Sequence, residues 1–372
     1  TARTLVGIGS MLRKCDGEEQ RRPRPEPARR PRGWHPARQM TTPAAAGLTM
    51  PPEWAPHERT LMGWPCRREL WGDQLARAKA DYAATANAIL AFEPLTMVCA
   101  TAADADEARA ALTGGAEIVE LPIDDSWLRD NGPIFVVDAD GRRAGVHFGF
   151  NAWGGKFDSW ERDAAVGRVL VDRLGDRRYD APFVLEGGSV CVDGEGTLLT
   201  TEQCLLNPNR NPGLAREELE QGLREHLGAT TVVWLGQGLA EDRDTDGHVD
   251  LVAAFTRPGE VLLQSVAPGQ PSHERMADNR ARLQAAGLEV VDFPLLPTAE
   301  VAGERVAVSH LNFYLCNGAV VVPMAGAETD GEALERIEAA YPDRQVVGVP
   351  GAVIAYGGGG PHCITQQIPA AG

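Results

Sequence analysis

The sequence predicts an α/β fold built as one domain from about five similar units. Three observations predict it. Hairpin-like pairs of apolar runs alternate with segments of helical spacing. Each pair is entered through a polar, mostly glycine-containing stretch. From residue 54 onward the unit recurs at intervals of 50 to 65 residues. A repeat at this period points to a closed or stacked architecture. Five divergent units ranged around an axis would bring the polar stretch of each to one shared centre.

In chain order, the opening segment "RRPRPEPARRPRGWHPARQ" has too few apolar residues to repay the entropy of ordering. Residues 1–46 are therefore expected to be a disordered extension. They read either as an inert tail or gene-start artefact, with Met40 as the true start, or as an RNA- or partner-binding arm. Residues 47–372 are expected to form the single folded domain.

The first helix is expected in "DQLARAKADYAATANAILAF", where Leu75, Ala78, Tyr82, Ala86 and Ile89 step by three and four and make one apolar stripe. Similar spacing places helices at roughly 158–174, 214–227, 271–286 and 330–340, the last with Asp330 as its N-cap. Hairpins are expected in "DNGPIFVVDADGRRAGVHFGF", "EGGSVCVDGEGTLLTTEQC", "HVDLVAAFTRPGEVLLQSV" and "LNFYLCNGAVVVPM". Their turns "DADG", "DGEG", "RPGE" and "CNGA" carry the Gly, Asp, Asn and Pro that reverse a chain.

Net charge is −16, unevenly spread. Residues 1–39 hold ten basic against four acidic residues, so the rest of the chain holds 26 against 48, a net of −22. So acidic a body repels nucleic acid and anionic membranes and favours cationic ligands, although acidity also serves solubility. No apolar run approaches the roughly 18 residues a membrane span needs. The seven cysteines are odd in number and never closer than 13 residues, which suggests neither a disulfide framework nor a CxxC zinc site. A reducing cytoplasm fits.

Four polar stretches stand at strand starts: "DDSWLRDNGP", "LEGGS", "DTDGHVD" and "GGGGPHCITQQIP". Each has an ordinary reading alone. Asp130-Asn131-Gly132 makes a turn, Glu186 caps one, and a lone histidine is a satisfied structural group. If the chain runs extended from Gly247, His248 and Asp250 face one side about 7 Å apart. Four consecutive glycines before Cys363 imply close backbone approach or positive φ. Cys363 is therefore a candidate functional thiol.

Company changes the reading. A thiol with a histidine is a nucleophile arrangement, but carboxylates beside a thiol raise its pKa. They make sense where the substrate is a planar cation clamped by paired hydrogen bonds, as carboxylates clamp a guanidinium. The residues thus point to a cysteine enzyme that attacks a guanidine. Trp127 is either an apolar, cation-stacking wall for it or a core residue.

Those four stretches, with "LEGGSVCVDGEGTLLTTEQCLLNPNRNP" and "LNFYLCNGAVVVP", resemble the agmatine deiminases, a bacterial peptidylarginine-deiminase-like family of the guanidino-group-modifying (pentein) superfamily. The resemblance covers about 320 residues. It implies a five-bladed α/β propeller, no metal or organic cofactor, and a homo-oligomer, by analogy a dimer. It implies deimination of agmatine to N-carbamoylputrescine and ammonia, a step of putrescine biosynthesis. Cys363 would be the nucleophile, His248 the general acid and base, Asp130 and Asp250 the guanidinium clamp, and Glu186 the orienter of His248 and a further substrate contact. Trp127 would stand beside the substrate. The chain departs from the family pattern at Gly360, Pro361, Leu251 and Cys191.

Three rivals share the residues. A deiminase of free or peptidyl arginine would use the same centre. A metal hydrolase would use His248, Asp250, His362 and Cys363, though no CxxC or HExxH spacing supports it. An acidic polyamine-binding module would leave Cys363 incidental.

Overall fold

The computed structural model describes residues 42–372. Strands β1 (His57–Gly63), β2 (Leu95–Cys99) and β3 (Glu117–Glu120) form a parallel run. The helix Leu75–Leu90 crosses from β1 to β2. Its stripe buries Ala78, Tyr82, Ala86 and Ile89 completely, while Leu75 is half-buried.

The next three units repeat one topology: an antiparallel hairpin, a helix, and a strand parallel to the hairpin's second strand. They are β4 (Ile134–Val137), β5 (Arg143–Gly149), helix Asp163–Leu174 and β6 (Arg177–Val184); β7 (Cys191–Val192), β8 (Thr197–Thr201), helix Arg216–Leu227 and β9 (Thr231–Leu235); and β10 (Ala253–Arg257), β11 (Glu260–Gln264), helix His273–Ala285 and β12 (Glu289–Phe293).

A separate hairpin, β13 (Thr298–Val301) and β14 (Glu304–Ala307), precedes the fourth such unit: β15 (Tyr314–Cys316), β16 (Ala319–Met324), helix Asp330–Ala340 and β17 (Gln345–Pro350). The last strand, β18 (Thr365–Pro369), pairs antiparallel with β1, from His57↔Pro369 to Met62↔Thr365. It supplies the hairpin partner that the first unit lacks locally. Five sheets of one topology result, each open, with four strands in one and three in the others.

All four expected local hairpins and all five expected helices are present. The helix Ala102–Ala111 and the hairpin β13–β14 were not anticipated. That helix buries only Ala105 and Ala108, so its sequence carries no apolar stripe to read. It is started by the Thr101 hydroxyl, which accepts the Asp104 N–H.

Asp330 is the first helical residue, not the cap expected. Its carboxylate instead accepts N–H groups of Gly326 (2.8 Å) and Ala327 (3.1 Å) and contacts His310 Nε2. The extension expected over residues 1–46 falls mostly outside the described residues. Its last five, 42–46, contain the 3-10 turn Ala44–Ala46, and there the expectation gives way. Among the described residues no helix is long and apolar enough to cross a membrane, and the six described cysteines are unpaired.

Candidate active site

One position recurs in all five sheets: the residues just before the strand that enters each hairpin. Asp130, in the one-turn helix Leu128–Asn131, precedes β4. Glu186 precedes β7, and His248 and Asp250 precede β10. Cys363 stands two residues before β18, and Asn312 two before β15. Asp130, Glu186, His248, Asp250, Asn312 and Cys363 are all buried.

Gly188 shows how closely three of these groups meet. A Cβ built there would lie 2.6 Å from His248 Nδ1, 2.9 Å from Asp130 Oδ1 and 2.9 Å from Asp250 Oδ2. The Cys363 S–H donates to that same Asp250 oxygen at 3.3 Å. The strand geometry expected for His248 and Asp250 is not what joins them. Val249–Leu251 is a 3-10 turn, so the two residues do not alternate along an extended chain.

The four glycines before the thiol each have a steric reason. A Cβ on Gly357 would strike Trp71 at 2.2 Å. Gly358 has φ +109°, and its Cβ would meet Asp244. At Gly359 a Cβ would lie 2.9 Å from Cys363 Sγ and 2.8 Å from Trp127. At Gly360 it would lie 2.7 Å from Asn312 Oδ1, the atom that accepts the Cys363 N–H. Asn312 also donates from Nδ2 to the Asp250 carbonyl. Asn312 escaped the sequence reading because its hairpin is entered through "SHLN", without the acid or glycine that marked the others.

Each ionisable group is biased by its neighbours. Burial would push His248 down, but Asp130 above all, with Cys204 and Glu186, holds it well above the usual range, which favours the charged imidazole. Its ring nitrogens stand 3.8 Å from Asp130 Oδ1 and 3.9 Å from Glu186 Oε2. These are ion-pair contacts, and neither nitrogen has a hydrogen-bond partner. Burial raises the Asp130 carboxyl against the pull of His248, and Asp250 and Glu186 raise it further.

Burial, then the charges of Asp250 and Asp130, push the Cys363 thiol well above its ordinary value. Glu186 is held low in spite of burial by His248 and by Arg210, whose Nε donates to Glu186 Oε1 at 2.6 Å. Asp250 is held low in spite of burial, chiefly by His362.

Trp127, Asp130, Trp153, Phe157, Asp244 and Cys363 line a recess at this centre, with Gly357 and Gly358 in its wall. Trp127 is a core residue that also borders the recess. It stacks on Trp71 at 5.9 Å within the core, and it forms a wall of the recess. Trp153, not anticipated, donates its indole N–H to Asp130 Oδ2 at 2.9 Å from a backbone at φ +52°. Non-glycine residues are strained there, and such strain collects at functional sites. Arg210 and Cys204 were likewise missed, although "TTEQCLLNPNRNP" contains both. Leu251 lines a separate cleft of about 750 Å³ beyond Gly358 and Asp244. None of the four departures from the family pattern lines the recess.

The four residues of the metal reading do not make one ligand set. Asp250, His362 and Cys363 share hydrogen bonds among themselves. His248 instead stands with Glu186 and Cys204, whose ligand atoms lie within 4.8 Å of one another. There the Arg210 guanidinium already pairs with Glu186.

Comparisons with known proteins identify the family. The model of the Porphyromonas-type peptidyl-arginine deiminase family matches residues 49–369. The agmatine deiminase of Stutzerimonas stutzeri is 45% identical over 361 residues, covering 89% of this chain and 98% of that protein. The agmatine deiminase of Pseudomonas aeruginosa is 43% identical over the same shares. The solved agmatine deiminase of Enterococcus faecalis superposes with a TM-score of 0.84 at 35% identity, over 89% of this chain and 98% of that one. By sequence and by fold, this chain belongs to the Porphyromonas-type peptidyl-arginine deiminase family and stands within it among the agmatine deiminases.

Proposed function

We propose that this chain hydrolyses agmatine to N-carbamoylputrescine and ammonia, with residues 47–372 as one catalytic domain. The observation that carries it is the convergence beside Gly188 of His248, Asp130 and Asp250, the last in contact with the Cys363 thiol. Asp250 Oδ1 is buried without a partner, an acceptor free for a guanidinium N–H. The five repeated sheets and the meeting of their entry residues support a five-bladed propeller around this centre.

In this reading Asp130 and Asp250 hold the guanidinium, and the bound cation lowers the thiol pKa so that Cys363 loses its proton to solvent. The thiolate attacks the central carbon and a C–S bond forms. His248 gives its proton to one nitrogen, the C–N bond breaks and ammonia leaves, with an S-alkylthiouronium cation on Cys363. His248, now neutral, takes a proton from water, and the hydroxide adds to the same carbon. The C–S bond then breaks, the hydroxyl proton returns to the sulfur as the ureido product leaves, and the ammonia released earlier takes up in solvent the proton that Cys363 gave up. Positioning and proton transfer each contribute orders of magnitude in rate. Glu186 and Arg210 act by fixing His248.

Agmatine is favoured over free arginine by the recess itself. Trp127, Trp153 and Phe157 suit an aliphatic chain, and Asp244 at the wall suits a distal ammonium. Within the recess an α-carboxylate would meet Asp244 without a basic partner, Arg243 and Arg305 lining only the adjoining cleft. Action in the cytoplasm, supported by the unpaired thiols, and assembly as a homodimer, by analogy, belong to the same proposal.

The test is ammonia release from agmatine, arginine and a blocked arginine peptide, with mass spectrometry of acid-quenched enzyme. Turnover of agmatine with an amidine adduct on Cys363 is expected. Preference for either arginine substrate, or no adduct together with an active Cys363→Ser variant, would overturn the reading.

A further inference from the structure

His362, the residue before Cys363, sits between a buried carboxylate, Asp250, and a partly buried one, Glu53. His362 Nδ1 lies 2.8 Å from Asp250 Oδ2, and His362 Nε2 lies 2.7 Å from Glu53 Oε1. A neutral imidazole has one N–H and can satisfy only one of these; the doubly protonated ring donates to both. Arg129 closes the arrangement. Its NH1 lies 3.6 Å from Glu53 Oε1, its Nε donates to the His362 carbonyl at 3.2 Å, and its backbone N–H donates to the Cys363 carbonyl at 3.2 Å.

The two oxygens of Asp250 are thereby made unequal. Oδ2 takes the His362 N–H and the Cys363 S–H, while Oδ1 has no partner. We infer that Glu53 and His362 form a positioning relay that keeps Asp250 ionised and its carboxylate turned so that Oδ1 faces the substrate cation. Neither residue touches the reacting carbon in this scheme. His362 acts through Asp250, and Glu53 acts through His362.

The surrounding charges agree. Burial and the Arg129 charge oppose protonation of His362, yet Glu53 and Asp250 hold it above its usual range. In turn His362 and Arg129 hold Glu53 down to about 2 in spite of burial. Other titratable groups facing the relay are His57 and Tyr341 toward Glu53, His248, Cys363 and the like-charged Asp130 toward Asp250, and Cys191 toward both carboxylates. Of these groups and His362, only the His362 imidazolium is a cationic donor in direct hydrogen bond to Asp250 Oδ2; the Cys363 S–H is the neutral one.

The inference rests on agmatine turnover, and its test separates the two. kcat/KM for agmatine is measured against pH in the wild type and in Glu53→Gln, Glu53→Asp and His362→Gln. Glu53→Gln and His362→Gln are expected to move the acid limb toward neutral pH, with the loss at pH 6 exceeding that at pH 8 by about tenfold. Glu53→Asp is expected to restore the wild-type limb, and ¹⁵N resonances of His362 to show both ring nitrogens protonated in the wild type but not in Glu53→Gln. Equal losses at every pH, or a His362 ring neutral in the wild type, would overturn the relay. If His362→Gln does not fold, the Glu53 pair decides alone. A wild type inactive on agmatine would instead defeat the functional reading.

Discussion

The guanidinium of Arg210 donates from Nε to Glu186 Oε1 at 2.6 Å, and both side chains are fully buried. Arg210 also donates to the Thr245 carbonyl and pairs with Asp246, so one arginine ties the β7 entry to the loop that carries His248. Replacing it with Met strands a buried carboxylate. A destabilisation of about 3–5 kcal/mol is expected, read as a lower denaturation midpoint, together with loss of turnover. Unchanged stability would mean that Glu186 is not charged in the folded chain.

Gly188 offers a cleaner probe of the centre. Its φ is not in the left-handed region, so Gly188→Ala adds no backbone strain, only a methyl 2.6 Å from His248 Nδ1. The variant is expected to fold but to lose roughly 10²-fold in kcat/KM, because a displacement near 1 Å at the reacting groups costs about that much. A variant as active as the wild type would show that His248 and the carboxylates do not act at that point.

Cys363 is expected to be a neutral thiol in the free protein, since burial and the charges of Asp250 and Asp130 raise its pKa. Iodoacetamide should modify it slowly at pH 7, at a rate that keeps rising beyond pH 9, when followed by peptide mass spectrometry. A rate already level below pH 8 would mean a preformed thiolate and no need for the substrate cation to ionise it.

Glu53 predicts an acid dependence of stability. Its folded pKa, about 2, lies below the ordinary 4.5. The stability it contributes is therefore present above 4.5 and lost as pH falls through 2. Urea denaturation of the wild type and Glu53→Gln should give midpoints that differ at pH 5 and converge toward pH 2. A gap constant with pH would place the effect in packing rather than charge.

Much of this was legible because the hairpins announce themselves. "DADG" and "CNGA" reverse the chain between β-branched runs, and a helix such as Leu75–Leu90 buries a regular stripe. Cys363, His248, Asp130, Asp250 and Glu186 stood out as reactive types at repeated positions. Asn312 and Trp153 did not, since amides and indoles occur in every core and only their bonds to Cys363 and Asp130 distinguish them. Glu53 was invisible for another reason: it meets His362 across nearly the whole chain, and no local pattern records that contact.

The pairing of β18 with β1 has a consequence for biogenesis. β1 is made well before β18, so in the nascent chain one of its edges is unclaimed until the covering strand follows. Such an open edge invites mispairing with other chains. Because Cys363 lies just ahead of the covering strand, a chain cut short before it lacks both the thiol and the strand that closes the first sheet. Shielding of that edge and arrival of the thiol are therefore coupled in one short segment of chain.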